Sequence, residues 1–165
     1  MFFFVQLFKN MTINSSLNKK TILLFGVGWL GRELIHSLSE NEYDIYVATR
    51  RSKKQIDFGR PVHFLNVSYH SNQLSFIDSS IHKLSFDVAV VMLPPSGFND
   101  YSNVIRSICE QVDNVKQLIY TSSTGVYQEF ECLVNEHSDI DENNVIYEAE
   151  QFVRLLLPNN HTILR

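Results

Sequence analysis

The stretch from Thr21 to Arg51 constrains the fold of this chain more than any other part of it. An apolar run, Ile22 to Phe25, leads directly into the glycine-rich sequence Gly-Val-Gly-Trp-Leu-Gly at positions 26–31. Apolar residues then recur at helical spacing, and a second apolar run ends at Ala48. A strand, a glycine loop, a helix and a second strand in this order predict a βαβ unit that binds a dinucleotide.

Each glycine of the loop has its own predicted role. Gly26 lets the chain turn sharply out of the strand, Gly28 lets a pyrophosphate approach the backbone, and Gly31 lets the helix lie close to the strand. Free N–H groups and the helix dipole favour phosphate here, so Trp29 and Leu30 are also expected to contact the cofactor. The alternative is an ordinary strand-to-helix turn that happens to be rich in glycine.

The end of the second strand indicates which dinucleotide is bound. NAD-binding proteins usually place Asp or Glu about 20 residues after the loop, where the acid accepts a hydrogen bond from the ribose 2′-OH. This chain has Thr49, Arg50 and Arg51 there, and Asp44 lies at the opposite end of the strand. Two guanidinium groups suit a 2′-phosphate, so the sequence predicts NADP(H) rather than NAD(H). The alternative is that the two arginines form a solvated surface pair.

The rest of the chain alternates between strand-like and helix-like segments. Further strands are predicted at 61–67, 86–93, 117–120 and 162–165. Helices are predicted at about 71–84, from Asn99 or Asp100, and at 146–156. This alternation predicts a Rossmann-type α/β domain of three layers over residues 21–165, with a doubly wound parallel sheet in the strand order 3-2-1-4-5-6. Residues 1–20 are expected to form a disordered extension, since their apolar part is shorter than the ~20 residues that span a bilayer.

Two loops after predicted strands add candidate cofactor contacts. Asn66 ends the third strand and is a candidate contact to the adenine edge, although simple turn chemistry would also explain it. Leu93, Pro94 and Pro95 end the fourth strand. In this architecture that loop lies across the switch point of the sheet from the glycine loop, so we expect it to border the cofactor.

Composition and charge exclude several functional classes. A net charge of −4 with no basic run gives no support for nucleic-acid binding. Cys109 and Cys132 lack Cys-x-x-Cys spacing, which favours free thiols in a cytoplasmic protein, and the scattered histidines predict no metal site. The acidic stretch 131–144 shows no regular ligand spacing, so we interpret it as a solvated loop.

Three segments give the chain a resemblance to a known family. They are the glycine loop at 26–31, Leu-Pro-Pro-Ser-Gly at 93–97, and Tyr-Thr-Ser-Ser-Thr-Gly-Val-Tyr at 120–127. Together they resemble the short-chain dehydrogenase/reductase superfamily, most closely its extended and atypical NAD(P)-dependent epimerase/dehydratase branch, which includes the YeeZ-like proteins. The resemblance covers about residues 21–165. It implies an NADP-dependent oxidoreductase that acts on the carbonyl or alcohol group of a small molecule.

The resemblance also implies catalytic residues. Ser123 matches the residue that hydrogen-bonds the reacting carbonyl or hydroxyl, and Ser122 lies beside it near the cofactor. Tyr147 matches the tyrosine of the family's Tyr-x-x-x-Lys, but Gln151 stands where the lysine should be. An unassisted phenol has a pKa near ~10, so little tyrosinate would exist at neutral pH. A non-catalytic NADP(H)-binding module, or an inactive remnant, therefore stays open as an alternative, as does a fragment of a nucleotide-sugar epimerase or dehydratase.

The length of the chain adds one further expectation. In the family, a segment that covers the substrate follows the sixth strand, whereas this sequence ends at Arg165. We therefore expect a truncated product, a fragment of a longer protein or a minimal cofactor-binding module. Less covered sheet faces and an open edge would also favour a homodimer.

Overall fold

The computed structural model describes residues 18–50, 57–70, 72–77, 84–112, 115–128 and 134–165. The predictions made for Arg51, for Cys132, for residues 1–17 and for the middle of the predicted helix at 78–83 lie outside these residues.

Seven strands form one sheet in the order β4-β3-β2-β1-β5-β6-β7. The strands from β3 through β2, β1, β5 and β6 to β7 pair in parallel, whereas β4 is antiparallel to β3. The six predicted strands thus stand in the predicted order, which confirms the Rossmann-type α/β fold. The strands are β1 (Lys20–Phe25), β2 (Tyr43–Thr49), β3 (His63–His70), β4 (Gln73–Phe76), β5 (Val88–Val91), β6 (Gln117–Thr121) and β7 (His161–Leu164).

In the described part of the chain, three α-helices cover the sheet: α1 (Trp29–Ser37), α2 (Tyr101–Gln111) and α3 (Val145–Leu156). Alternate residues of β1 enter separate cores, since side chains of a strand point to opposite faces. Ile22 and Leu24 pack with residues of α1, whereas Leu23 and Phe25 pack with residues of α2 and α3. This arrangement gives the predicted three layers.

The predicted helix at 71–84 is wrong in its first part, because β4 forms there. Leu74 pairs with Tyr69 of β3, and Asn72 turns the chain in the left-handed region with φ of 61°. The backbone N–H of Leu74 donates to Ser107 Oγ at 2.9 Å, and that of Phe76 donates to Gln111 Oε1 at 3.2 Å. Side chains of α2 therefore satisfy backbone groups that a helix would have satisfied internally. The extra strand also makes the sheet mixed rather than parallel throughout.

Capping side chains set the starts of the two later helices. Asp100 Oδ1 accepts from the N–H of Asn103 at 3.2 Å, and Asn144 Oδ1 accepts from the N–H of Ile146 at 2.9 Å. Such caps satisfy backbone donors that have no partner within the helix. Both helices begin within two residues of their predicted starts. Within the described ranges, no helix has the length and apolar character needed to cross a membrane.

Candidate functional site

The glycine loop follows β1 and leads into α1. Gly26 has φ of +87°, and a Cβ on it would lie 2.6 Å from the carbonyl oxygen of Met92. A Cβ on Gly31 would lie 2.6 Å from the carbonyl oxygen of Gly26. Both positions therefore require glycine for the fold itself. Gly28 differs, because a Cβ there would meet no atom within 4 Å. The space above Gly28 is open to a ligand.

A cavity of about 230 Å³ lies beside this loop. The register places the carboxyl ends of β1, β2 and β5 side by side, with Phe25 opposite Ala48 and Val91. Gly26, Gly28 and Arg50 all line the cavity, and none of its described lining residues is acidic. A site with backbone groups, one guanidinium and no carboxylate suits an anionic ligand.

Some of the other predicted cofactor residues line this cavity and others do not. Leu93 lines it, and Trp29 is exposed at the first position of α1. Gly31 and Leu30 belong to the first turn of α1, beneath and beside the loop. Asn66 is exposed on β3 opposite Thr49 and is not among the lining residues, and neither are Pro94 and Pro95.

Two aromatic rings that line the cavity, those of Tyr69 and Phe98, belong to residues for which the sequence predicted no role. The Arg50 guanidinium carbon lies 5.0 Å from the centroid of the Tyr69 ring, and that ring lies 5.1 Å from the ring of Phe98. These three residues also line a second cavity of about 210 Å³. Tyr69 was missed because the third strand was predicted to end at residue 67, whereas β3 continues to His70.

The loop after β6 holds the two predicted serines. Ser123 begins a short 3₁₀ turn, Thr124–Val126, and its Oγ accepts from the N–H of Gly125 at 3.0 Å. The Ser122 hydroxyl donates to Glu150 Oε1 at 2.6 Å. The proton of Ser122 is therefore directed to α3, whereas Ser123 keeps its own hydroxyl proton for another acceptor.

Glu150 is the centre of a buried charge cluster on α3. Its side chain is 0% exposed and accepts from Arg165 Nη2 at 2.6 Å and from Arg154 at 3.1 Å. Burial would raise the pKa of Glu150, but hydrogen bonds from Arg165, Ser122 and Arg154 outweigh it and hold that pKa below its ordinary value of 4.5. The cluster could not be predicted from the local sequence because Arg165 lies 15 residues from Glu150 in the chain.

Tyr147 and Gln151 occupy the positions of the family's Tyr-x-x-x-Lys on α3. Tyr147 is half-buried and Gln151 is exposed. Tyr147 shares a helix face with Glu150, since the two are three residues apart. Asn144 Nδ2 also donates to the carbonyl of Gly125 at 2.9 Å. The structure thus joins the Ser123 turn to the first turns of α3, where Tyr147 lies.

A pair of buried tyrosines supports the loop after β5. Tyr101 Oη donates to the carbonyl of Leu93 at 2.8 Å, and the Tyr101 and Tyr120 hydroxyls lie 3.0 Å apart. Burial raises the pKa of both phenols, so both stay neutral at ordinary pH. Tyr101 thus supports the loop at Leu93, and Tyr120 in turn contacts Tyr101.

The described part of the chain contains neither a reactive thiol nor a cluster of metal-binding side chains. Burial raises the pKa of Cys109 to about 12, so its thiol is unreactive there. Across the described ranges, no group of three or more His, Cys, Asp or Glu side chains is placed to hold a metal ion.

Comparisons with known proteins give matches among solved structures only. No protein-family model matches, and no curated protein matches the sequence. UDP-N-acetylglucosamine 4-epimerase from Bacillus cereus superposes with a TM-score of 0.62 at 15% identity, over 90% of this chain and 53% of that chain. UDP-glucuronic acid 4-epimerase from Bacillus cereus in complex with NAD gives 0.60 at 17%, over 88% and 55%.

A third solved structure, ADP-L-glycero-D-manno-heptose-6-epimerase from Helicobacter pylori, gives a TM-score of 0.56 at 20% identity, over 88% of this chain and 53% of that chain. The chain therefore spans about half the length of these proteins. At such identities the likeness establishes a shared fold, and the shared part is the half that this chain contains.

Proposed function

We propose that the chain binds a nicotinamide dinucleotide at the carboxyl edge of the sheet, and NADP(H) in preference to NAD(H). One observation carries the proposal: Gly26, Gly28 and Arg50 line a single cavity that has no acidic residue in its described lining. An NAD-selective site usually has a carboxylate at the end of β2 for the ribose. The structural likeness to an epimerase in complex with NAD supports the class of cofactor.

Fluorescence titration tests the binding directly. Trp29 is the single tryptophan of the chain, is 73% exposed and begins α1 beside the glycine loop. Its emission should therefore fall as NADPH binds, with a lower Kd than for NADH. Gly28→Asp places a carboxylate in open space, so it should abolish binding without unfolding the protein. Unchanged NADPH binding in Gly28→Asp would exclude the glycine loop as the phosphate site.

The reaction that we propose is the reversible reduction of a carbonyl group by a short-chain type of mechanism. When bound, the dinucleotide supplies or accepts the hydride. Ser123 would hydrogen-bond the substrate oxygen through the proton that its Gly125 contact leaves free. Tyr147 would exchange a proton with the same oxygen. Glu150 would hold Ser122 against α3 through their hydrogen bond, next to these two residues.

Two other functions use the same cofactor site. Nucleotide-sugar epimerase or dehydratase chemistry is supported by the fold that this chain shares with sugar-nucleotide epimerases. Non-catalytic NADP(H) binding is supported by the exposed Gln151 at the lysine position. Two assays distinguish these functions. One measures NADPH oxidation across a panel of carbonyl compounds, and the other measures conversion of UDP- and ADP-sugars with catalytic amounts of the dinucleotide. Tight binding without turnover in either assay would favour the non-catalytic module.

A further inference from the structure

We propose that Tyr69 is a positioning residue for cofactor selectivity: its ring holds the Arg50 guanidinium at the mouth of the glycine-loop cavity, where the guanidinium meets the 2′-phosphate of NADP(H). This inference rests on the proposed function and assigns to it a residue outside the glycine loop and outside β2. Tyr69 reaches the site from β3, and it lines the same cavity as Gly28 and Arg50.

Among the described residues, the Tyr69 ring gives the Arg50 guanidinium a fixed contact. Arg50 is exposed at the end of β2, and in the described part of the chain it forms no ion pair. Ordering a free arginine side chain costs rotamer entropy when a ligand binds. A contact that orders the side chain beforehand lowers that cost.

The ring of Tyr69 is itself fixed by packing. It lies 5.1 Å from the ring of Phe98, which lies 6.1 Å from the ring of the buried Tyr101. On the other side, Tyr69 pairs across the hairpin with the buried Leu74, whose N–H is held by Ser107 of α2. The position of Arg50 is thereby connected to the core through a series of aromatic contacts.

An aromatic partner also suits the chemistry better than a carboxylate would. A ring face attracts a guanidinium but leaves its N–H donors and its charge available to a phosphate. Burial raises the pKa of Tyr69 to about 12, so the ring carries no negative charge near neutral pH that would compete with the phosphate. Arg50 lines the second cavity as well, so there is open space beside it for a phosphate on the ribose.

The test measures the Kd for NADPH and for NADH in full-length variants and compares their ratios. Tyr69→Leu should reduce the preference for NADPH about fivefold, the size expected from one cation–π contact. Tyr69→Phe keeps the ring and should keep the preference. Phe152→Leu is the matched control, because it removes a ring that lies 5.5 Å from the guanidinium of Arg106, outside the site. It should leave both affinities unchanged.

Arg50→Leu separates the inference from the proposed function. If Tyr69 acts through Arg50, then Tyr69→Leu should have no further effect on the ratio when Arg50 is already leucine. A ratio that falls in Arg50→Leu but stays unchanged in Tyr69→Leu would overturn the role of Tyr69 alone. Equal losses of NADPH and NADH affinity in Tyr69→Leu would show a structural role and overturn it too. A ratio unaffected by Arg50→Leu would instead overturn the proposed NADP(H) preference and the inference with it.

Discussion

The hydroxyl of Ser122 donates a 2.6 Å hydrogen bond to the buried carboxylate of Glu150. This contact joins the loop after β6 to the middle of α3, and the two elements carry the proposed catalytic residues, Ser123 and Tyr147. Two arginines neutralise the carboxylate, one on α3 itself and one after β7. A charge cluster outside the described lining of the cofactor cavity therefore holds together the two elements of the proposed reaction site.

Replacing Glu150 with Gln should destabilise the protein strongly. The change leaves the buried contacts of Arg165 without a counter-charge, and removing one partner of a buried ion pair costs about 3 kcal/mol or more. Chemical denaturation measures the loss of unfolding free energy. Glu110→Gln is the matched control, since Arg106 and Glu110 form an exposed pair on α2 at 2.9 Å whose loss should cost less than ~1 kcal/mol. Equal effects of the two changes would contradict the importance of the buried cluster.

Acid should remove the contribution of Glu150 to stability. Its folded pKa lies below the ordinary value of 4.5, so its contribution is complete above that pH and is lost as pH falls through the folded pKa. Unfolding free energies measured from pH 7 to pH 3 should therefore converge for the wild type and Glu150→Gln below about pH 4.5. A constant difference between the two proteins over this range would show that the folded carboxyl titrates normally.

Alanine should destabilise the fold at Gly26 far more than at Gly28, whereas at Gly28 its main effect should be on cofactor binding. Gly26→Ala adds a Cβ 2.6 Å from the Met92 carbonyl at φ of +87°, so it should destabilise the fold by about 2 kcal/mol or more. Gly28→Ala meets nothing within 4 Å and should cost less than about 1 kcal/mol, yet it should weaken NADPH binding. Thermal melts and cofactor titrations measure the two effects. Similar melting losses in both variants would refute the assigned roles.

Restoring the lysine should raise the rate of any carbonyl reduction. A positive charge one helical turn after Tyr147 would stabilise the negative charge that forms on its phenol oxygen when the proton leaves, and about 1.4 kcal/mol of such stabilisation corresponds to a tenfold increase in rate. Gln151→Lys is compared with Leu155→Lys, which adds the same charge at an exposed position one turn further along α3. NADPH oxidation should increase in the first variant only, and an additional Tyr147→Phe change should abolish the gain.

Much of the fold follows from the sequence, because its strands are short apolar runs that end in recognisable turns. Leu74 shows where this reasoning fails. Its spacing to Ile77, Ile81 and Leu84 is helical, but its backbone N–H is satisfied by Ser107, which is 33 residues away in the chain. A periodicity in sequence contains no information about such a distant hydrogen bond, so β4 and the hairpin that carries Tyr69 were not predicted.

The candidate site likewise contains residues whose placement follows from the local sequence and residues whose placement does not. The local pattern of the glycine loop and of Arg50 was sufficient to place them together at one edge of the sheet. The pairing of Glu150 with Arg165, in contrast, does not follow from the local sequence, since the two residues lie 15 positions apart. The structure brings them together, so the charge of the buried carboxylate is compensated. Residues whose partners are remote in sequence were the ones whose roles could not be predicted.

The hydrogen bonds from β4 to α2 have a consequence for self-association. An edge strand with free N–H groups can recruit a strand from another molecule. Along β4, the N–H groups of Leu74 and Phe76 are occupied by Ser107 and Gln111, and the amide of Gln111 also donates to the carbonyl of Leu74. Polar side chains of a helix thus block this margin of the sheet against intermolecular strand addition, and substituting Ser107 and Gln111 together would unblock it and promote aggregation.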